Sequence, residues 1–239
     1  MQYVISDIHG CYEEFKELLE KIGFTEEDTL YVLGDMVDKG PAPIPLLMDL
    51  MTRPNVIPML GNHDYAARRV LKKLGTEITE ENVRNYLTGE DLLDYAFWAR
   101  DGGRVTADQF RHLSPEDREA VLDYLDECET WEDIRAGGKR YILVHAGIHG
   151  FEEDKALDEY HFTDLILYRS DYTRRYYSDP DTILVTGHTP TMVIRPDKEA
   201  FVYEGNGQIG LDCGCAYGGR LAALCLETGA VTYAESRQK

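Results

Sequence analysis

Two carboxylates and a lysine follow an apolar run in the stretch LGDMVDKG, residues 33–40. Asp35 and Asp38 can hold a cation or orient an imidazole, and Lys39 can meet an anion. Turn chemistry alone could explain such a stretch, because Gly and Asp are common turn residues. Four further stretches of the same build change that reading. Asp7-Ile8-His9-Gly10 follows YVIS, and Gly61-Asn62-His63-Asp64 follows NVIPML. His145-Ala146-Gly147 follows YILV, and Gly187-His188-Thr189 follows TILVT. Each sets Asp, Asn or His just past an apolar run, with a glycine beside it. Four of the seven histidines, His9, His63, His145 and His188, hold such positions. Carboxylate, imidazole and amide oxygen without thiolate form a mixed set suited to manganese, iron or zinc rather than calcium.

The elements that must position these residues alternate. YVIS, TLYVL and NVIPML are short apolar runs expected as strands, the last weakened by Pro58. Tyr12, Phe15, Leu18, Leu19 and Ile22 recur at helical spacing and end at Gly23. IPLLMDLM and YAARRVLKKL are expected as helices. Strand–helix alternation points to parallel pairing, and ligands then sit past the carboxyl ends of the strands. After Gly137-Gly138 the sequence turns strand-rich, with RYILVHAGI, TILVTGHTP, AFVYE, QIGLD, GRLAALCLE and AVTYAE; LETGAVTY reads as a hairpin.

Residues 77–136 differ. ENVRNYL and EDLLDYAFWAR read as helical, and SPEDREAVLDYLDE starts with Ser114 as N-cap and Pro115 in the first turn. We read the region as a helical insert within one domain spanning 1–239. Its aromatics Tyr86, Tyr95, Phe97 and Trp98 are expected to pack the insert's own core, with stacking on adenine as the alternative.

The chain has 239 residues, 43% hydrophobic and 29% charged, which is ample for a buried core. Acids outnumber bases 44 to 25, for a formal charge of −19. That balance argues against nucleic acid as a partner, since such binding rests on basic side chains meeting phosphate. It also requires any phosphate chemistry to bring its own local positive charge, and metal ions are the obvious source. No apolar run is long enough for a membrane span, and MQYVISDIHG lacks the features of a secretory signal, so a cytoplasmic protein is expected. The five cysteines fit no disulfide framework. CGC at 213–215 reads as a strand with two small side chains on one face, and Cys11 as a buried helix-start residue.

The blocks DIHG, GDMVDKG, GNHD, HAG and GHTP match, in order, those of the phosphoprotein-phosphatase family of calcineurin-like metallophosphoesterases, which this chain resembles from residue 7 to 189. The resemblance implies an α/β fold, α+β by some schemes: a four-layer α/β/β/α sandwich with a mixed sheet and a helical insert. It implies two divalent metal ions, manganese foremost, with iron or zinc as alternatives. Asp7, His9 and Asp35 would hold the first; Asp35 would bridge to the second, held also by Asn62, His145 and His188. Asp38 would orient His63, and protonated His63 would donate to the leaving alkoxide. Asn62, Arg169 and Lys39 would grip phosphate. Lys39 stands where most protein phosphatases of the family have arginine, and Leu60 where they have another.

The implied activity is hydrolysis of phosphomonoesters in serine/threonine, or tyrosine, phosphoproteins by direct attack of water. The expected partners are a phosphorylated protein or small phosphate ester, with no nucleic acid and no membrane. The alternative is a diadenosine polyphosphate hydrolase, because LGNHD resembles that group more than the RGNHE of protein phosphatases. Asp38 counts the other way, since the symmetric dinucleotide hydrolases typically lack that acid. A non-catalytic metal-binding scaffold is the remote third reading, because every ligand position is filled.

Overall fold

The protein is described by a computed structural model covering residues 1–75 and 87–238. The expected helix at ENVRNYL lies outside the described residues apart from Leu87, as does Tyr86. The first half runs β1 (Gln2–Ile5), α1 (Tyr12–Ile22), β2 (Thr29–Val32), α2 (Pro43–Met51), β3 (Val56–Pro58) and α3 (Asn62–Gly75). The insert supplies α4 (Gly89–Trp98), α5 (Arg104–Phe110) and α6 (Pro115–Asp126). The second half runs β4 (Trp131–Ala136), β5 (Lys139–Val144), α7 (Phe162–Ile166), β6 (Thr182–Thr186) and α8 (Thr191–Ile194). It closes with β7 (Tyr203–Gly205), β8 (Gln208–Gly210), β9 (Arg220–Cys225) and β10 (Val231–Glu235).

Two mixed sheets form, in the orders β10-β9-β1-β2-β3 and β4-β5-β6-β8-β7. The parallel pairs are β1 with β2, β2 with β3, β5 with β6 and β6 with β8. Side chains alternate between the faces of a strand, and that alternation builds the layers. Val4, Tyr31, Leu33, Tyr141 and Leu143 point between the sheets, where they meet Met59, Val185, Ile209 and Leu224. Ile5, Leu30 and Val32 point outward, under Phe15, Leu18, Leu46 and Leu47 of the helical layer. Ile142, Val144 and Leu184 point the other way, under Leu157, Leu165, Ile166 and Tyr177. The result is the expected α/β/β/α sandwich, with short helices and loops in the outer layer of the second sheet.

Three helix ends carry the caps their residues provide. Gly23 adopts φ 62 after α1 and its amide closes the last turn. Ser114 accepts from the Asp117 amide at the head of α6, and Thr88 and Asp91 cap each other at the head of α4. The insert is not a detached lobe. Trp98, Ala107, Phe110, Val121 and Leu125 share the core of α1, α2 and α3.

Two readings change. The helices of the insert end at Asp126, and residues 131–136 form β4, antiparallel to β5, so strand structure returns before Gly137-Gly138. CGC is not a strand with both cysteines on one face: Gly214 takes φ 68 and Cys215 begins a short 3-10 turn. Cys213 therefore faces the core between the sheets, and Cys215 the helical core near Cys11. Among the described residues no helix is long and apolar enough to cross a membrane.

Leu143 is fully buried between the sheets. Leu143→Ala should cost about 2–5 kcal/mol in urea unfolding. A cost below about 1 kcal/mol would mean that this layer packs loosely enough to refill the space.

Candidate dinuclear metal centre

The carboxyl ends of β1, β2, β3, β5 and β6 meet along one edge of the sandwich. Past β1 and β2 the backbone pairing continues as a zipper: the Asp7, His9 and Gly10 amides donate to the carbonyls of Gly34, Asp35 and Met36, at 2.8–3.1 Å. This sets the first two blocks side by side. Past β3 the chain enters α3 at once, three residues earlier than periodicity implies, so Asn62 and His63 lie in its first turn. The His63 amide donates to Asp35 Oδ1 at 2.9 Å. A helix N-terminus thereby stabilises the buried anion.

The second sheet is tied on across the seam. His145 Nδ1–H donates to the Leu33 carbonyl at 2.6 Å, and the His188 amide donates to both Asp7 oxygens at 2.9 and 3.1 Å. Ser6 also donates to Asp7. Two glycines permit this approach. A Cβ on Gly61 would overlap the amide and Oδ1 of Asp35, and one on Gly187 would overlap Ser6 and Asp7.

Imidazole orientation is fixed from behind. His9 Nδ1–H donates to the Val37 carbonyl at 2.8 Å, which leaves Nε2 facing Asp35 Oδ2 at 3.5 Å. His145 Nε2 faces Asp35 Oδ1 at 3.5 Å. Asn62 Oδ1 lies 3.1 Å from His145 Nε2 and 2.7 Å from His188 Nδ1. Backbone carbonyls that fix the ring tautomer are the usual outer support of metal-ligating histidines. Ligand atoms of Asp35, His145 and His188 gather within 4.8 Å, as do those of His9, Asp35 and His63. Asp7 is adjacent, with its carboxylate turned to the His188 amide.

Protonation fits a metal-binding set. Burial lowers the pKa of His9 and His188 to about 3, and lowers that of His145, so these rings are neutral near neutral pH. Burial also opposes ionisation of Asp35, but His145, His63, His9 and Lys39 outweigh it and hold that carboxyl below the usual range. Neutral imidazoles around an ionised carboxylate are the donor set that borderline divalent metals take. This chain builds a dinuclear metal site.

His63 differs. Burial pulls its pKa down, yet the hydrogen bond to Asp38 and the charge of Asp35 leave it raised. Asp38 Oδ2 accepts from His63 Nδ1 at 2.8 Å. Lys39 faces the centre rather than solvent: its Nζ lies 2.8 Å from His9 Nε2 and 2.9 Å from His63 Nε2. Leu60 is buried in the outer core of the second sheet. Arg169 is exposed at the rim, where its charge reaches His188 and Asp212. Asp7, His9, Asp35, Asp38, Lys39 and His188 all carry positive φ between 46 and 71. Such backbone is costly for residues other than glycine and clusters at functional sites.

Four residues take part in the centre in roles that sequence reading did not assign. Asp64, fully buried, accepts from the Met36, Val37 and Gly61 amides at 3.0–3.3 Å and pins the β2 loop to the β3 loop. Asp212 is buried near Asp7, and burial pushes its pKa up to about 6. Asp212 stands two residues past β8, and Asp64 closes the Gly61–Asp64 block in the first turn of α3, so the signal was present. Trp98 and Thr106 of the insert donate to Asp38, which no local pattern announces.

Asp64→Asn replaces an acceptor oxygen by a donor, and should cost about 1–3 kcal/mol in chemical denaturation; an unchanged midpoint would remove Asp64 as the pin. Burial, with Asp212 and Asp35 close by, pushes the Asp7 carboxyl well above its usual range. With Asp7 as a metal ligand, as the resemblance implies, the metal must displace that proton, so manganese affinity of stripped protein should weaken as pH drops from 7 to 5, by at most about tenfold per unit for one proton. Affinity that stays flat across this window would mean Asp7 is already ionised.

The sequence model described as calcineurin-like phosphoesterase matches residues 3–206. A symmetrical bis(5'-nucleosyl)-tetraphosphatase of Buchnera aphidicola subsp. Schizaphis graminum is 28% identical over 92% of this chain and 92% of its own. One from Acidovorax ebreus is 33% identical over 61% of this chain but only 43% of its own length. A solved structure described as a candidate diadenosine tetraphosphatase superposes with a TM-score of 0.65 at 21% identity, covering 100% of this chain and 94% of the other, which shows the fold. These relatives correct the expectation of no nucleic-acid-type partner. They are named for a nucleotide substrate, and net acidity bears on long polyanions held by basic surface, not on a small nucleotide gripped locally. With the family model matched across most of its length and its blocks gathered into one centre, the chain belongs to the calcineurin-like phosphoesterase family.

Proposed function

We propose that the protein is a metal-dependent hydrolase of dinucleoside polyphosphates, cleaving a phosphoric anhydride bond. The observation that carries this reading is the 92% reciprocal alignment with a symmetrical bis(5'-nucleosyl)-tetraphosphatase. Site geometry supports it. Phe97, 69% exposed, borders a cleft of about 240 Å³ whose wall includes Asn62 and His63. Tyr217, 61% exposed, stands over Lys39, with Nζ 5.5 Å from the ring centroid. Two exposed rings beside the reacting centre can stack nucleobases, each worth about 1–3 kcal/mol.

Two divalent metals, held by Asp7, His9 and Asp35 and by Asp35, Asn62, His145 and His188, would supply Lewis acidity and a water-derived nucleophile at neutral pH. Manganese is our assignment; iron and zinc suit the same donors. The side chains do the rest. Lys39 and Arg169 offset the charge of the phosphoryl oxygens. Asn62 offers its amide to the same group. Asp38 engages Nδ1 of His63 and favours the imidazolium, so His63 Nε2–H can pass its proton to the leaving oxygen.

The same Asp38–His63 pair favours a second reading, hydrolysis of phosphomonoesters in proteins. An alkoxide leaves as a stronger base than a nucleotide phosphate and needs the acid more. The test is turnover of diadenosine tetraphosphate, a phosphothreonine peptide and p-nitrophenyl phosphate by the manganese-loaded protein. The dinucleotide should dominate. Phe97→Ala and Tyr217→Ala should raise its KM about tenfold each and leave that of p-nitrophenyl phosphate unchanged. Dominance of the peptide would replace this reading with the second.

A further inference from the structure

We infer that Trp98 and Thr106, both in the helical insert, are positioning residues for the Asp38–His63 pair. The inference rests on the reading of His63 as proton donor, which both substrate readings share. Asp38 is fully buried, and each carboxylate oxygen is assigned. Oδ2 accepts from His63 Nδ1 at 2.8 Å and from Trp98 Nε1–H at 2.7 Å. Oδ1 accepts from the Thr106 hydroxyl at 2.7 Å, and that hydroxyl accepts from the Asp38 amide at 3.0 Å. The hydroxyl thus grips one residue by backbone and side chain together, which fixes the plane of the carboxylate. The indole fixes its other end.

Both donors are held in turn. Trp98 is 4% exposed, with its ring pressed on Gly103, where a Cβ would overlap the indole. Thr106 is fully buried. The insert follows the catalytic turn further along: the Lys39 amide donates to the Gly102 carbonyl at 3.1 Å. Gln109 accepts from the Ile44 amide at 3.2 Å and donates to the Pro41 carbonyl at 2.6 Å. Segment 98–109 is therefore a clamp on residues 38–44. A carboxylate freed to rotate would let the His63 ring swing, and proton delivery would lose its alignment.

The consequence is a leaving-group signature. Full-length, metal-loaded Trp98→Phe and Thr106→Val should lose about tenfold in kcat on an alkyl phosphate and at most about twofold on p-nitrophenyl phosphate, whose leaving group needs little help. KM and metal content by elemental analysis should stay unchanged, and Thr106→Ser should restore the rate. His63→Asn, run alongside, should show the same selectivity more strongly. If His63→Asn is selective but Trp98→Phe and Thr106→Val lose both substrates equally, or neither, the inference is overturned and the His63 reading stands. A His63→Asn variant without selectivity overturns both. A second measurement does not depend on turnover. The chain has two tryptophans, so the Trp98 indole N–H can be assigned in NMR spectra by its loss in Trp98→Phe. Its exchange with solvent should accelerate in Asp38→Ala; unchanged exchange would refute the hydrogen bond.

Discussion

The buried carboxylate of Asp35 is the constraint around which the molecule is arranged. It is 2% exposed, at the seam where strands of both sheets end. An unpaired carboxylate there would be prohibitively costly. Its oxygens are met by the first turn of α3, by His9 from the first sheet and by His145 from the second. The same charge that needs these partners is what gathers cations. Strand pairing, the early start of α3 and the bare backbone of Gly61 all let three separate segments reach one carboxylate.

Holding them there strains the chain locally. Six of the proposed ligand and catalytic residues sit at positive φ, each costing on the order of 1–3 kcal/mol. The compensation lies in the layers. Three apolar clusters pack both faces of both sheets, and the strained loops are short extensions of those strands. Rigid strands carry loops that would not keep this geometry alone.

The insert bears on the same balance. Acids outnumber bases over residues 77–136, yet its buried face delivers an indole and a hydroxyl to Asp38 rather than charge. One of its exposed acids, Asp101, comes within 3.6 Å of His63 Nε2, while Lys39 and Arg169 bring positive charge to the centre. Net charge therefore describes the solvent face of the protein and says little about a small ligand gripped locally. Exposed Phe97 borders the open cleft, and exposed Tyr217 stands over Lys39.

Local patterns in the sequence determined much of this. Period-two alternation in TLYV and RYILV set which side chains face which layer, and caps at Gly23, Thr88 and Ser114 set where helices begin and end. Acids and histidines one to six residues past the strands marked the site, because strand ends and turns are short-range features. Asp64 and Asp212 carried the same mark and were overlooked. Tertiary structure alone decided the rest. That Lys39 turns inward, that Trp98 reaches Asp38 across sixty residues of chain, that β4 joins the second sheet and that Cys213 and Cys215 part into different cores all depend on how sheets and insert pack. Periodicity and propensity encode neighbours along the chain; which distant side chains share a buried charge is set only when the layers close around it.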